Sequence, residues 1–226
     1  MYGYDLPYLM IAIISMVLGM ITQGYIRSAY NKWSQVPTSL QGSGADVARR
    51  MLDSNGAGDV GIVQISGHLT DHYDPSDNRL HLSSENYGRG SVASVAVACH
   101  EAGHAIQNAT GYTMMRVRTS LVPAVNFTAS TWGLIFMAGW LLGSLNLLKV
   151  AIAFFAVSVL FHLVTLPVEI DASRRAVNYL GTVSEVDQAG AKEVLTAAAL
   201  TYVAAALTSV LQLLYFMSRV NGSRRD

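Results

Sequence analysis

Long apolar runs alternate with polar blocks along this chain, and the runs are too long for strands or ordinary core helices. Residues 6–26 carry no ionisable side chain other than tyrosine, over 21 positions. At ~1.5 Å per helical residue such a run crosses a hydrocarbon core of about 30 Å. Between Arg118 and Glu169 lie 50 residues whose only formal charge is Lys149, too many for one crossing and enough for two. Between Glu193 and Arg219 lie 25 more uncharged residues, rich in Ala and Leu. The pattern predicts four transmembrane helices, near 6–26, 122–143, 148–168 and 194–217, with 143–149 as the turn of the middle pair. The first run has no Lys or Arg before Arg27 and no A-x-A site, so it reads as an uncleaved anchor rather than a signal peptide.

The polar material falls in two pieces, 27–120 and 169–193. The Gly/Ser-rich stretch 39–44 reads as a linker into the first piece. Val47, Ala48, Met51 and Leu52 recur at helical spacing within 45–55, closed by Gly56. A β-branched run at 61–66 and an alternating run at 79–83, with Leu80 and Leu82 on one face, read as strands. The stretch 67–78 between them, with Asp74-Pro75 followed by Ser76, Asp77 and Asn78, reads as a loop. Ser91 is placed to cap a long helix reaching Asn108. The first piece is thus expected to be a small α+β unit of helix, hairpin, helix. Strand 79–83 is expected at an exposed sheet edge, where a substrate backbone could add as a further strand.

Composition sharpens this picture. The chain has 226 residues, of which 51% are hydrophobic and only 13% charged. Soluble domains carry about 25% charged residues. The formal net charge is zero, so there is no basic excess to hold a nucleic-acid backbone, and that partner is excluded. A single cysteine, Cys99, excludes an intrachain disulfide and a cysteine-based zinc site; it reads as a small core residue. Eleven Lys and Arg fall on the side of 27–120 and 169–193, against four on the other, which places the former side in the cytoplasm. Arg219, Arg224 and Arg225 run against that orientation, a conflict that disappears if the last apolar run lies along the interface.

The chemistry concentrates in His100-Glu101-Ala102-Gly103-His104. Residues four apart share a helical face, so both imidazoles can reach one ion, and zinc accepts imidazole nitrogen in a tetrahedral site. Glu101 can sit beside the metal as a general base toward its water. Two histidines leave the site incomplete. A helical hairpin returns the chain to the side it left, so Glu169 emerges on the same side of the membrane as His100 and His104 and is the leading third ligand. Asp171 is the runner-up, with His162 and His72 as outsiders. His72, Tyr73 and Arg174 are candidate donors to a tetrahedral intermediate, His72 being the one assigned a catalytic role. Asp71, Asp74 and Asp77 admit a weak calcium-loop reading, although the EF-hand glycine and terminal Glu are missing. His162 reads as an interhelical hydrogen-bonding group, and Trp132 and Trp140 as packing or interfacial residues.

These motifs resemble membrane-embedded gluzincin proteases, the HtpX-type enzymes and the CAAX prenyl endopeptidases among them. Leu69-Thr70-Asp71-His72-Tyr73-Asp74-Pro75, Arg79-Leu80-His81-Leu82-Ser83 and Pro167-Val168-Glu169-Ile170-Asp171-Ala172-Ser173 look still more like the YugP-like family of neutral zinc metallopeptidases. The resemblance runs from about Thr38 to Arg175. It implies a mainly α membrane protein with a small zincin-like domain, and it carries the third-ligand role of the E-x-x-A-D-R glutamate onto Glu169. Ser173 stands where that pattern has Asp, and Asp171 is the available substitute.

The expected organisation is an anchor (1–27), a catalytic domain (28–120), a transmembrane hairpin (121–168), a polar segment bearing the third ligand (169–193) and a last helix with its tail (194–226). The expected activity is a Zn²⁺ endopeptidase of the cell membrane acting on peptides or membrane proteins. The competing reading is a catalytically silent zinc-binding adaptor or chaperone-like protein. An intramembrane protease and a zinc transporter fit less well. The oligomeric state is open.

Overall fold

The computed structural model describes residues 5–222. Ten elements follow in order: α1 (Leu6–Ser34), α2 (Gly44–Ser54), β1 (Gly61–Ile65), β2 (His72–Asp74), β3 (Arg79–Ser83), α3 (Ser84–Gly88), α4 (Val92–Ala109), α5 (Thr113–Leu141), α6 (Leu145–Gly181) and α7 (Glu185–Gly222). The molecule is mostly helical, with one three-stranded sheet. Helices α1, α5, α6 and α7 are long and apolar enough to cross a membrane. The chain divides into two units, one of Met1–Ile21, Val117–Leu166 and Thr201–Asp226, the other of Thr22–Arg116 and Pro167–Leu200. Arg224 and Arg225 lie outside the described residues.

The first unit is built from apolar helical stretches that expose large side chains such as Ile13, Met20, Leu134 and Trp140, as suits an apolar solvent. Its interior holds an aromatic cluster in which Trp132 meets Phe155 at 5.0 Å and Phe136 meets Phe216 at 5.3 Å between ring centroids. His162 Nδ1 faces Ser209 Oγ at 3.2 Å, joining α6 to α7 by a polar contact. Arg219 pairs with Asp5 at 2.7 Å. One of the arginines that runs against the positive-inside count is thereby neutralised.

The second unit contains the sheet. Ser43 caps α2 with a capping box: its hydroxyl accepts from Asp46 N, and Asp46 Oδ2 accepts from Ser43 N at 2.8 Å. The strand order is β1-β3-β2, with β3 parallel to β1 and antiparallel to β2. This corrects the expected hairpin of 61–66 with 79–83. Those strands are parallel, and the segment between them, read as a loop, carries β2. A parallel neighbour requires a crossover, and here the crossover supplies the third strand. The hairpin is instead β2–β3, turned at Asp74 to Asn78, where Asp74 Oδ1 accepts from Ser76 N at 2.8 Å and Asn78 takes φ 54°. Strand β3 is therefore central, not an edge, and cannot accept a substrate strand. Alternation in β3 correctly buries Leu80 and Leu82, but it cannot tell which neighbours bond its two backbone edges.

Helix α4 runs through the core and is buried on nearly all sides. Its small residues, Ala93, Ala96, Ala98, Ala102, Gly103 and Ala105, let neighbours approach closely. Cys99 is fully buried among them, which raises its thiol pKa and leaves it a packing residue. The stretch read as a separate polar segment, 169–193, is the end of α6, a short turn and the start of α7. Asp187 there is fully buried and ties the two chain regions of this unit, bonding the Thr38 hydroxyl and accepting from Ser39 N at 3.0 Å.

A Cβ at Gly103 would lie 2.7 Å from the Ala172 carbonyl oxygen, so α4 and α6 touch backbone to backbone there. Gly103→Ala must part them, and is expected to cost about 1–3 kcal/mol. A lowered midpoint of thermal unfolding of the detergent-solubilised chain checks this, an unchanged midpoint refutes it.

Candidate metal centre

Helix α4 supplies the first two side chains. Ser91 Oγ accepts from Ser94 N and starts the helix two turns before the motif. His100 and His104 then fall one above the other, with ring centroids 4.7 Å apart and planes at 80°. Helix α6 supplies the third. Glu169 Oε2 lies 3.3 Å from His100 Nε2 and 3.4 Å from His104 Nε2. The three ligand atoms fall within 4.8 Å of one another.

The environment of Glu169 tests whether an ion fits. The residue is 2% exposed, and its Oε2 is buried without an aligned hydrogen bond, although two imidazole nitrogens stand beside it. A buried carboxylate oxygen in that state is costly unless a cation completes it. Two imidazoles and one carboxylate form a donor set that suits zinc. The residues therefore fit the ion, with His100, His104 and Glu169 as its holders.

A further set of side chains orients the imidazoles from behind. An ion held here would take the bare Nε2 of each imidazole, which leaves each Nδ1 to carry the proton. His100 Nδ1 lies 3.1 Å from Ser173 Oγ. The position where the resembling pattern has Asp is thus filled by a hydroxyl in direct contact with a ligand. His104 Nδ1 lies 3.0 Å from Gln107 Oε1. Gln107 is fully buried, and its Nε2 donates to the Val168 carbonyl at 2.8 Å and to Asp171 Oδ2 at 2.9 Å. Arg175 Nε donates to the same Asp171 oxygen at 2.7 Å. Asp171 is therefore outside the ligand group and supports His104 through Gln107. Gln107 went unnoticed in the sequence, where the one available signal was its place three residues after His104 on the same face.

Glu101 is 8% exposed, and burial pushes its carboxyl up to about 7, the positive field of His100 opposing and Glu169 and Asp71 adding to the rise. Asp71 is held by Ser83 N at 2.7 Å and by Asn86 Nδ2 at 2.8 Å, and Asn86 in turn accepts from Tyr30 Oη at 2.7 Å. That network fixes the crossover beside α3. It also removes Asp71 from the suggested calcium loop; Asp74 and Asp77 group with His81 instead. Hydrogen bonds from Ser76 hold the Asp74 carboxyl below its usual range, and Asp77 Oδ2 contacts His81 Nε2 at 3.0 Å.

The other candidates separate. His72 sits on β2 with Nδ1 2.9 Å from the Thr70 carbonyl and its ring stacked on His81 at 4.7 Å. The Tyr73 hydroxyl is engaged, donating to Asn78 Oδ1 at 2.9 Å and accepting from Asn108 Nδ2 at 3.0 Å, so it is structural. Arg174 lines a groove between α6 and α7. His162 makes its contact with Ser209 and is not among the three converging ligands.

A helix-borne imidazole pair, completed by a carboxylate from a second helix and flanked by a buried glutamate, is the arrangement of a zinc peptidase centre. Comparison with known proteins agrees: the chain belongs to the family described as "Putative neutral zinc metallopeptidase", whose model matches residues 8–221. It is similar to the "Putative membrane protease YugP" of Bacillus subtilis (strain 168), with 41% identity over 213 residues, covering 93% of this chain and 95% of that protein. No solved structure matches.

Gln107→Leu removes the acceptor that orients His104 and one of the two donors to Asp171. Zinc affinity is expected to fall about 10- to 100-fold, as for other outer partners of metal ligands. Competition with a chromophoric chelator measures it, and an unchanged affinity would remove Gln107 from the site.

Proposed function

We propose that this chain is a membrane-bound zinc endopeptidase that hydrolyses peptide bonds of peptide or membrane-protein substrates close to the bilayer surface. The observation that carries the reading is the convergence of His100, His104 and Glu169 around a buried oxygen without a hydrogen-bond partner, with Glu101 adjoining His100. Glu169 lies only three residues beyond Leu166, the last residue that α6 gives to the apolar unit, which supports action near the membrane.

When bound, zinc supplies Lewis acidity that polarises the peptide carbonyl and makes water a nucleophile near neutral pH. Glu101 takes a proton from the attacking water as its oxygen bonds to the carbonyl carbon, and delivers that proton to the amine nitrogen as the C–N bond breaks. Ser173 and Gln107 hold the two imidazoles so that Nε2 rather than Nδ1 faces the ion. Burial of Glu101 and Glu169 keeps bulk water from the base and the ligand carboxylate. The excess of Lys and Arg in 27–120 and 169–193 supports a cytoplasmic catalytic side in a multi-pass protein. The intact Glu101 favours an enzyme over a silent adaptor, since a structural zinc site has no use for a base.

Two variants test the reading in detergent-purified protein. Glu101→Gln is expected to keep one zinc per chain and to lose about 10²- to 10⁴-fold in cleavage of fluorescein-labelled casein. Glu169→Ala is expected to lose both zinc and cleavage. Normal cleavage by Glu101→Gln would end the base assignment, and full zinc in Glu169→Ala would end the ligand assignment.

A further inference from the structure

The second unit carries a groove of about 630 Å³ between α6 and α7. Its walls come from one face of each helix. Ile170, Arg174 and Val177 recur at i, i+4, i+7 on α6, and Gln188, Lys192, Leu195 and Ala199 recur at helical spacing on α7. Arg174 and Lys192 are both exposed, and neither makes an ion pair among the described residues. Their neighbours differ: Arg175 is bound to Asp171, and Glu193 is bound to Lys32. One acid, Glu185, lines the groove, against the two cations.

Polarity is graded along the groove. Ile170 lies four residues beyond Leu166 on α6, and Ala199 lies two before Thr201 on α7, these being the positions where each helix changes unit. Arg174 lies eight residues beyond Leu166 and Lys192 nine before Thr201. Arg174 lies seven residues before Gly181 and Lys192 seven beyond Glu185, so the two cations stand about 10 Å from the α6–α7 turn along each helix. Ile170, Leu195 and Ala199, with Thr196, lie on one side of them, and Val177, Ala189, Gln188 and Glu185 on the other, so the charged groups gather toward the α6–α7 turn. An apolar end that leads to a cationic pair matches an amphiphile with an anionic head. A soluble anion would have no use for the apolar end.

We propose that this groove holds an anionic phospholipid, with its phosphate between Arg174 and Lys192 and its acyl chains along Ile170, Leu195 and Ala199. Long basic side chains that lie over apolar surface and present their charge at its end suit such a head group. The floor of the groove includes Ser173, the hydroxyl that contacts His100, so the head group stands one side chain from the metal ligands. The inference rests on the membrane reading of the long helices and not on the peptidase reading.

The test uses the full, delipidated chain in a neutral detergent, titrated with short-chain phosphatidylglycerol or phosphatidylcholine and read as binding by native mass spectrometry. Phosphatidylglycerol is expected to bind the more tightly. Arg174→Gln combined with Lys192→Gln should weaken it about fivefold per cation, roughly 25-fold in all, at unchanged zinc content. Arg174→Lys with Lys192→Arg should retain binding, and Lys149→Gln, outside the groove, should not matter. Equal binding of the two lipids, or a preference that survives the double Gln variant, overturns the proposal. So does displacement of phosphatidylglycerol by inorganic phosphate at matched concentration, which would mark a free-anion site. An unaltered lipid preference in the double Gln variant with a raised KM for acidic peptides would assign the groove to substrate instead. The lipid-binding readouts require no peptide cleavage, so the lipid site and the peptidase reading fail separately.

Discussion

Backbone contact between α4 and α6 is the constraint on which the site depends. His100 and His104 can be placed by helical spacing alone, but Glu169 reaches them only if its helix comes within touching distance. Gly103 permits that approach, since any side chain there would meet the Ala172 carbonyl. The glycine inside the motif is therefore part of the ligand geometry, although it offers no ligand atom. The fully buried alanines of α4 and α6, Ala102, Ala172 and Ala176 among them, extend the same close packing.

That packing also explains the polar arrangement behind the ligands. Two helices this close leave little room for water, so each buried polar group must find a protein partner. Gln107 does so with Val168, Asp171 and His104, and Ser173 with His100. Glu169 Oε2 is the exception within this set, and its lack of an aligned partner is what a cation would relieve. Satisfied neighbours around one unpaired carboxylate oxygen fit a cation site. The group of Asp74, Asp77 and His81 shows the contrast, because its members already bond one another and Ser76 in an exposed turn.

Helix α6 serves both units along one element. Its first part, to Leu166, belongs to the apolar unit, and Pro167 opens the part that carries Glu169, Asp171, Ser173 and Arg174. Proline removes one backbone hydrogen bond at this junction. The polar positions then divide by helical angle: Glu169 and Ser173 turn to the histidines, Asp171 accepts from both Gln107 and Arg175, and Arg174 lines the groove with α7. About two turns of helix thus meet three environments.

Much was legible in the sequence because it depends on local order. Uncharged length marks the four long helices, Ser91 marks a helix start, and a spacing of four puts two histidines on one face. Glu169 could be argued as well, from the return of a helical hairpin, though only as one of several candidates. Other features depend on which backbones become neighbours. Strands 61–65 and 79–83 read alike whether parallel or antiparallel, so the central place of β3 and the presence of β2 emerge only from the folded sheet. The roles of Gln107, Ser173 and Asp171 are likewise tertiary, because residues 61 to 73 positions apart become partners only when α4 and α6 meet. Periodicity specifies the face a side chain occupies; close packing of two backbones decides what that face meets.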